Sequence, residues 1–208
     1  MKEIPILFST PMVQGIIAGT KTQTRRICKP IPFYDEDNRY VYIDNLFFDI
    51  HDKWDIPMYL KDNSKYQIGD VLWVRETFCP PLGYGTIDHY IYKASIDLPK
   101  KNSRHDIKWK PSIFMPKAAC RIKLLVKNIR VERLRDISEN DAIEEGIEKV
   151  IKGYVYHDLY RNYNKNKYNE RLDPISSYIT LWESVNGKDS WNINPWVFVI
   201  EFENVKQK

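Results

Sequence analysis

The 208-residue chain has few of the features that announce a metal centre, a secreted scaffold or a membrane anchor. Its three cysteines, Cys28, Cys79 and Cys120, are odd in number, widely spaced and free of any CxxC pattern. That argues against a disulfide framework and a structural zinc site, and it fits a reducing cytoplasm. Among His51, His89, His105 and His157 there is no HExxH pair, so they read as surface or core residues and no metal or other cofactor is expected. Long apolar runs are missing as well. The opening MKEIPILFSTP carries the acidic Glu3 and an apolar stretch too short for a signal peptide, and no segment approaches a membrane span. No Gly/Ser linker or shift in composition divides the sequence. We therefore expect one domain over residues 1–208, large enough to bury roughly 70% of its unfolded surface.

Charge of one sign is also scarce. A formal net charge of +4 is too small to coat a polyanion, so any contact with nucleic acid must be local. What the sequence has in quantity is aromatic surface, with 6 Trp and 14 Tyr. These rings suit base stacking, but most of them, Trp191 and Trp196 included, fit a core in which each polar tip finds a partner.

Local signals mark out a set of short elements. Ser9 and Thr10 offer caps, Pro11 fits a first helical turn, and Met12, Ile16 and Ile17 share a face before Gly19 stops the helix. Directly after it, Lys21, Arg25, Arg26 and Lys29 crowd among Thr22, Gln23 and Thr24. Residues 71–78, VLWVRETF, read as a strand after the Gly69-Asp70 turn, with a second strand near residues 89–93. Residues 118–134 alternate apolar and basic, with a parity change at Asn128 that reads as a bulge or a turn between two strands. Ser138 and Asp141 approximate a capping box for a two-turn helix that Gly146 ends, leaving Glu144 and Glu145 at its terminus. Ile175, Ile179, Trp182 and Val185 recur at helical spacing from Pro174 to the Asn186-Gly187 stop. Residues 195–205 are apolar on both faces, as in a strand inside a sheet. Irregular insertions are expected at about residues 30–67 and 149–173. Short strands, short helices and no βαβ rhythm give an α+β class, a small closed or nearly closed β-barrel with helices at its rim.

The helix with AGTKTQTRR (18–26), then GDVLWVRETF (69–78), KPSIFMPKAACRI (110–122), LRDISENDAIEEGI (134–147), LWESVNG and NPWVFVIEF together resemble the ASCH domain family, in particular its phage and prophage members. The resemblance implies a PUA-like barrel with a cleft proposed for RNA. It reaches the small bacterial N(4)-acetylcytidine amidohydrolases, in which a Lys, a Thr three residues on and a Glu after the central strands carry the hydrolysis. The matching residues are Lys21, Thr24 and Glu145. The chain is longer than those enzymes, and its WVRETF strand is more polar.

Hydrolysis of an N-acyl group requires a nucleophile, a proton acceptor and donors for an oxyanion. Thr24 suits a nucleophile or a residue that positions water. Glu145 suits a base at neutral pH, and Lys21 suits either an oxyanion stabiliser or, if desolvated, a base. Against this stands a turn threonine, a solvated lysine and a helix-end glutamate. Parity groups Glu76 with Leu72, Val74 and Phe78, opposite Arg75. A carboxylate at a barrel mouth must accept from a base amine or pair with Arg26 or Lys117. Thr22, Arg25, Arg26, Arg75 and Lys117 are candidate contacts to phosphate or base, with a solvated basic rim as the alternative. The expected partner is a modified nucleoside or RNA. Two functions are weighed: a metal-independent amidohydrolase for an acylated pyrimidine nucleoside, and a module that binds RNA or a modified base without turnover.

Overall fold

In the computed structural model the described residues are 1–29, 32–34, 40–43, 46–49, 55–81, 89–95, 107–150, 159–163 and 171–205. His51, His105 and His157, and much of both expected insertions, lie outside them.

Along the chain, β1 (Glu3–Leu7) leads into α1 (Thr10–Ala18), which has Pro11 in its first turn and ends at Gly19 with φ 75°. Ser9 stands at the N-cap without a side-chain cap bond. Then come β2 (Gln23–Ile27), β3 (Phe33–Tyr34), β4 (Tyr40–Ile43) and β5 (Leu46–Asp49). The last three form an antiparallel sheet of their own, and α2 (Asp55–Asp62) follows, so the described part of the first insertion carries regular elements. The strand β6 (Val71–Arg75) precedes the hairpin of β7 (Phe78–Cys79) and β8 (Ile91–Tyr92). The long β9 (Lys123–Arg133) leads to α3 (Glu139–Glu144), where the Ser138 side chain accepts a bond from the Asp141 N–H as its cap. The short pair β10 (Tyr160–Arg161) and β11 (Arg171–Leu172) precedes α4 (Pro174–Asn186), which Asp173 caps, and β12 (Trp196–Val205) closes the described chain.

The fold is mixed α+β. Its main sheet has five strands in the order β1-β6-β9-β12-β2, parallel between β1 and β6 and antiparallel elsewhere. Among the described residues this order has two edges, β1 and β2. The interior strand β12, between β9 and β2, is apolar on both faces because both faces are covered. Phe198, Ile200 and Phe202 pack with Leu72, Val74, Leu124 and Val126 and with residues of α1 and α2. Val197 and Val199 point the other way, onto Leu181 and Trp182 of α4 and Ala142 of α3.

Two sequence expectations resolve into finer statements. The parity change at Asn128 is a bulge within one strand: Glu201 opposes Asn128 while Phe202 opposes Val126, so Lys127 is the extra residue. The strand expected over 71–78 divides into β6 and β7. The chain leaves the main sheet after Arg75, and the Glu76 N–H turns to the Met115 sulfur at 3.2 Å. Among the described residues, no helix is long and apolar enough to cross a membrane.

Candidate functional site

The edge strand β2 and Lys21, two residues before it, carry much of the polar-basic cluster of the sequence into the interior. Lys21 forms a β-bridge with Glu145, just after α3, and the Thr22 N–H donates to the Glu144 carbonyl at 2.9 Å. Gly146 allows this approach. At φ 81° it turns the chain beside Lys21, and a Cβ there would lie 2.7 Å from Lys21 Cβ. Lys21 is 2% exposed, and its ammonium spends all three N–H groups on the Gln23 carbonyl (2.8 Å), the Glu145 carbonyl (2.7 Å) and Glu145 Oε2 (2.8 Å). Burial pulls the Lys21 pKa below its ordinary value, and attraction to Glu145 offsets only part of that pull.

The other oxygen of Glu145 accepts from Arg25 Nη1 at 3.2 Å. Arg25 also reaches Glu132 Oε1 at 2.7 Å and Asp141 Oδ2 at 3.1 Å, and Arg130 ties Glu132, Asp141 and Glu201 together from the strand face. Burial works against the Arg25 charge, yet Glu145, Tyr178 and Glu132 raise its pKa on balance. Burial likewise works against ionisation of Asp141, but donation from Gln23 and Arg130 and the charge of Arg25 hold its carboxyl down to about 2. A carboxyl depressed in the fold stabilises it above its unfolded pKa, near 3.9, and that contribution disappears as pH falls through 2. We expect Asp141 to supply about 1 kcal/mol at neutral pH, because solvent at this half-buried carboxyl screens part of the full shift. Urea unfolding from pH 5 down to pH 2 should therefore fall less steeply for Asp141→Asn than for wild type; parallel profiles would contradict the assignment.

Beside this network lies a pocket of about 70 Å³ along the outer edge of β2, lined by Thr24, Arg25, Arg26, Glu145, Tyr178 and Trp182 among others. Thr24 is 3% exposed, and its hydroxyl finds no hydrogen-bond partner among the described residues. Two donors in the same walls are also unsatisfied. Among the described residues Arg26 Nε and Trp182 Nε1 are buried without a partner, although Arg26 Nη2 donates to the Leu7 carbonyl at 2.6 Å and the guanidinium lies over the Phe8 ring. Such orphan N–H groups each cost about 1–3 kcal/mol, and natural structures keep few of them. Burial lowers the Arg26 pKa, and the nearby Tyr66, Glu145 and Tyr178 offset part of that pull.

The expected site residues thus divide. Lys21, Thr24, Arg25, Arg26 and Glu145 converge, and Thr22 is exposed next to them. The other three lie elsewhere. Glu76 is buried and held by Arg121 at 2.8 and 2.9 Å, so its partner is neither Arg26 nor Lys117. Arg75 donates to the Met115 and Ile113 carbonyls and stacks on Trp73, clamping the 110–122 turns. Lys117 is exposed and pairs with Glu3 at 2.5 Å.

No family model, curated protein or solved structure matches the chain. Its chemistry is accordingly read from the site itself. Sequence reasoning missed Tyr178 and Trp182, whose helical spacing reads as core, and it missed Glu132 and Asp141 as partners of Arg25. The signal available for Trp182 was an indole that needs an acceptor in an otherwise apolar helix face. Cys28 is no rival nucleophile, because burial pushes its thiol up to about 12.

Proposed function

We propose that the chain is an ASCH-type, PUA-like amidohydrolase that removes an N-acyl group from a modified pyrimidine nucleoside such as N(4)-acetylcytidine, without a metal ion. The observation that carries this reading is one small pocket lined by Thr24 and Glu145 together with Arg26 and Trp182, whose buried Nε and Nε1 have no partner among the described residues. A pocket with spare N–H groups calls for an acceptor, and an acyl carbonyl supplies one.

In this scheme the Thr24 hydroxyl, or a water it orients, attacks the acyl carbon while Glu145 takes the proton. The carbonyl oxygen becomes an oxyanion against Arg26 and Trp182. Collapse breaks the carbon–nitrogen bond, the proton passes to the exocyclic amine, and the base leaves. If Thr24 itself attacks, water then hydrolyses the threonyl ester and releases the carboxylate. Lys21 has no spare N–H for the oxyanion, so its part is to fix the Glu145 carboxylate and to share its proton across the 2.8 Å contact.

The test is incubation with N(4)-acetylcytidine, followed by chromatography for cytidine. Thr24→Val keeps the shape and removes the hydroxyl, and we expect it to lower turnover on the order of a hundredfold or more with the melting temperature unchanged. Equal rates in wild type and Thr24→Val would remove Thr24 from the mechanism, and no turnover by wild type would remove the reaction.

One observation favours binding without turnover. The Lys21, Arg25, Glu132, Asp141 and Glu145 network satisfies itself, as a structural cluster does. On that reading the phage-type protein recognises RNA or a modified base, and binding that weakens with salt and with Arg26→Ala, in the absence of hydrolysis, is its signature.

A further inference from the structure

The pocket beside β2 is too small for a whole nucleoside. Its volume of about 70 Å³ holds about five waters, or roughly as many heavy atoms, so an acyl substituent fits while the sugar must lie outside. What lies outside is a second cavity. A groove of about 530 Å³ shares Arg26, Ile27 and Asn186 with the pocket, and the two therefore adjoin along one wall. The groove is lined by three cations, Arg26, Lys29 and Lys65, with the amides of Asn63 and Asn186 and the buried Tyr66, and among the described residues no carboxylate belongs to its lining.

These cations differ from the others near the sheet. Lys21, Arg25 and Arg130 each hold at least one carboxylate within 3.2 Å, whereas Arg26, Lys29 and Lys65 make no salt bridge among the described residues. Lys65 rests over the Tyr66 ring at 4.7 Å, and Arg26 is partly buried with one N–H unsatisfied. Unpaired among the described residues, the three cations repel one another around one concave surface and, apart from the pull of Glu145 on Arg26, lack the counter-charge that the rest of the sheet supplies. A bound anion relieves both defects.

We propose that this groove is a phosphate subsite, so that the chain acts on or binds a modified nucleoside carrying a phosphate, as a nucleotide or within a strand. The identity of the attached base rests on the reading of the pocket given above; the anion does not. Arg26 stands at the junction, where it separates the acyl end from the phosphate end, and Lys29 and Lys65 neutralise the phosphate oxygens.

The test is calorimetric titration of the full chain with three probes: inorganic pyrophosphate, N(4)-acetylcytidine and N(4)-acetylcytidine 5′-monophosphate. The variant is Lys29→Ala/Lys65→Ala, two exposed positions outside the acyl pocket. Wild type should bind the monophosphate roughly tenfold or more tightly than the nucleoside, and raising salt from about 50 to about 200 mM should erase most of that advantage. The double variant should lose pyrophosphate binding and the monophosphate advantage while binding the nucleoside as wild type does. Failure of wild type to bind pyrophosphate at low salt, or unchanged pyrophosphate binding in the double variant, would overturn the proposal whatever the base. A short oligocytidylate without terminal phosphate separates the sources: tighter binding than the mononucleotide assigns a strand, and weaker binding assigns a terminal phosphate. Hydrolysis of nucleoside and monophosphate with equal KM would remove the subsite and leave the amidohydrolase. Tight monophosphate binding without hydrolysis would do the reverse.

Discussion

Glu145→Gln should destabilise the fold by about 3 kcal/mol or more, the largest loss expected of any conservative change at this site. The carboxylate is 3% exposed and lies between two buried cations, Lys21 at 2.8 Å and Arg25 at 3.2 Å. An amide of the same shape presents one acceptor and one donor, so one cation loses its partner and the other faces an N–H. Removing one member of a buried pair leaves charge in a poorly solvating interior, which costs more than the intact pair contributes. The reverse change, Lys21→Met, should cost less, about 1–3 kcal/mol, because Glu145 keeps Arg25 and only two carbonyls and one carboxylate oxygen lose a donor. In a domain of ordinary stability, the Glu145→Gln loss corresponds to roughly 10 °C in Tm. The double variant Lys21→Met/Glu145→Gln should be more stable than the sum of the single losses, since each removes the other's stranded charge. Denaturant unfolding of the four proteins checks this. If Lys21→Met proves the costlier change, Lys21 rather than Glu145 is the hub of the network.

The sequence made the covered helices and the central strand legible because their signals are local. Gly19, Ser138, Gly146 and Gly187 bound elements by their own backbone preferences, and the two-sided apolar pattern of 196–205 has only one burial solution. Parity likewise grouped Glu76 with the apolar Leu72, Val74 and Phe78, and it is buried. It did not identify the partner, because parity fixes the face of a strand and not what crosses over it. Arg121 reaches Glu76 only after the 110–122 turns bring it back, a long-range event without a local cue. The meeting of Lys21 with Glu145 is of the same kind: they are separated by 124 positions, and family resemblance alone linked them in advance. The groove was invisible for a related reason. Lys29 and Lys65 look like any surface lysines until the fold sets them on one cavity whose described lining holds no carboxylate.

Gly146→Ala is the second change with a large expected effect, and it separates geometry from charge. Two costs add. At φ 81° any side chain is strained by about 1 kcal/mol. The new Cβ would also stand 2.7 Å from Lys21 Cβ, 3.3 Å from its Cγ and 3.4 Å from its Cα, and crowding of that kind costs about 1–3 kcal/mol. Lys21 cannot swing aside cheaply, since the contact falls at the root of its side chain and its backbone is bridged to Glu145. Gly19→Ala supplies the control, because Gly19 has a similar φ of 75° and nothing within 4 Å of the added carbon. Gly19→Ala should therefore cost about 1 kcal/mol from strain alone, and Gly146→Ala about 2–4 kcal/mol. The excess measures how tightly the chain is pressed against Lys21. On the proposed amidohydrolase reading, the same substitution should also lower turnover of N(4)-acetylcytidine under conditions where the protein remains folded. Equal losses at the two glycines would mean that the loop after α3 yields freely and that the ion pair does not depend on it.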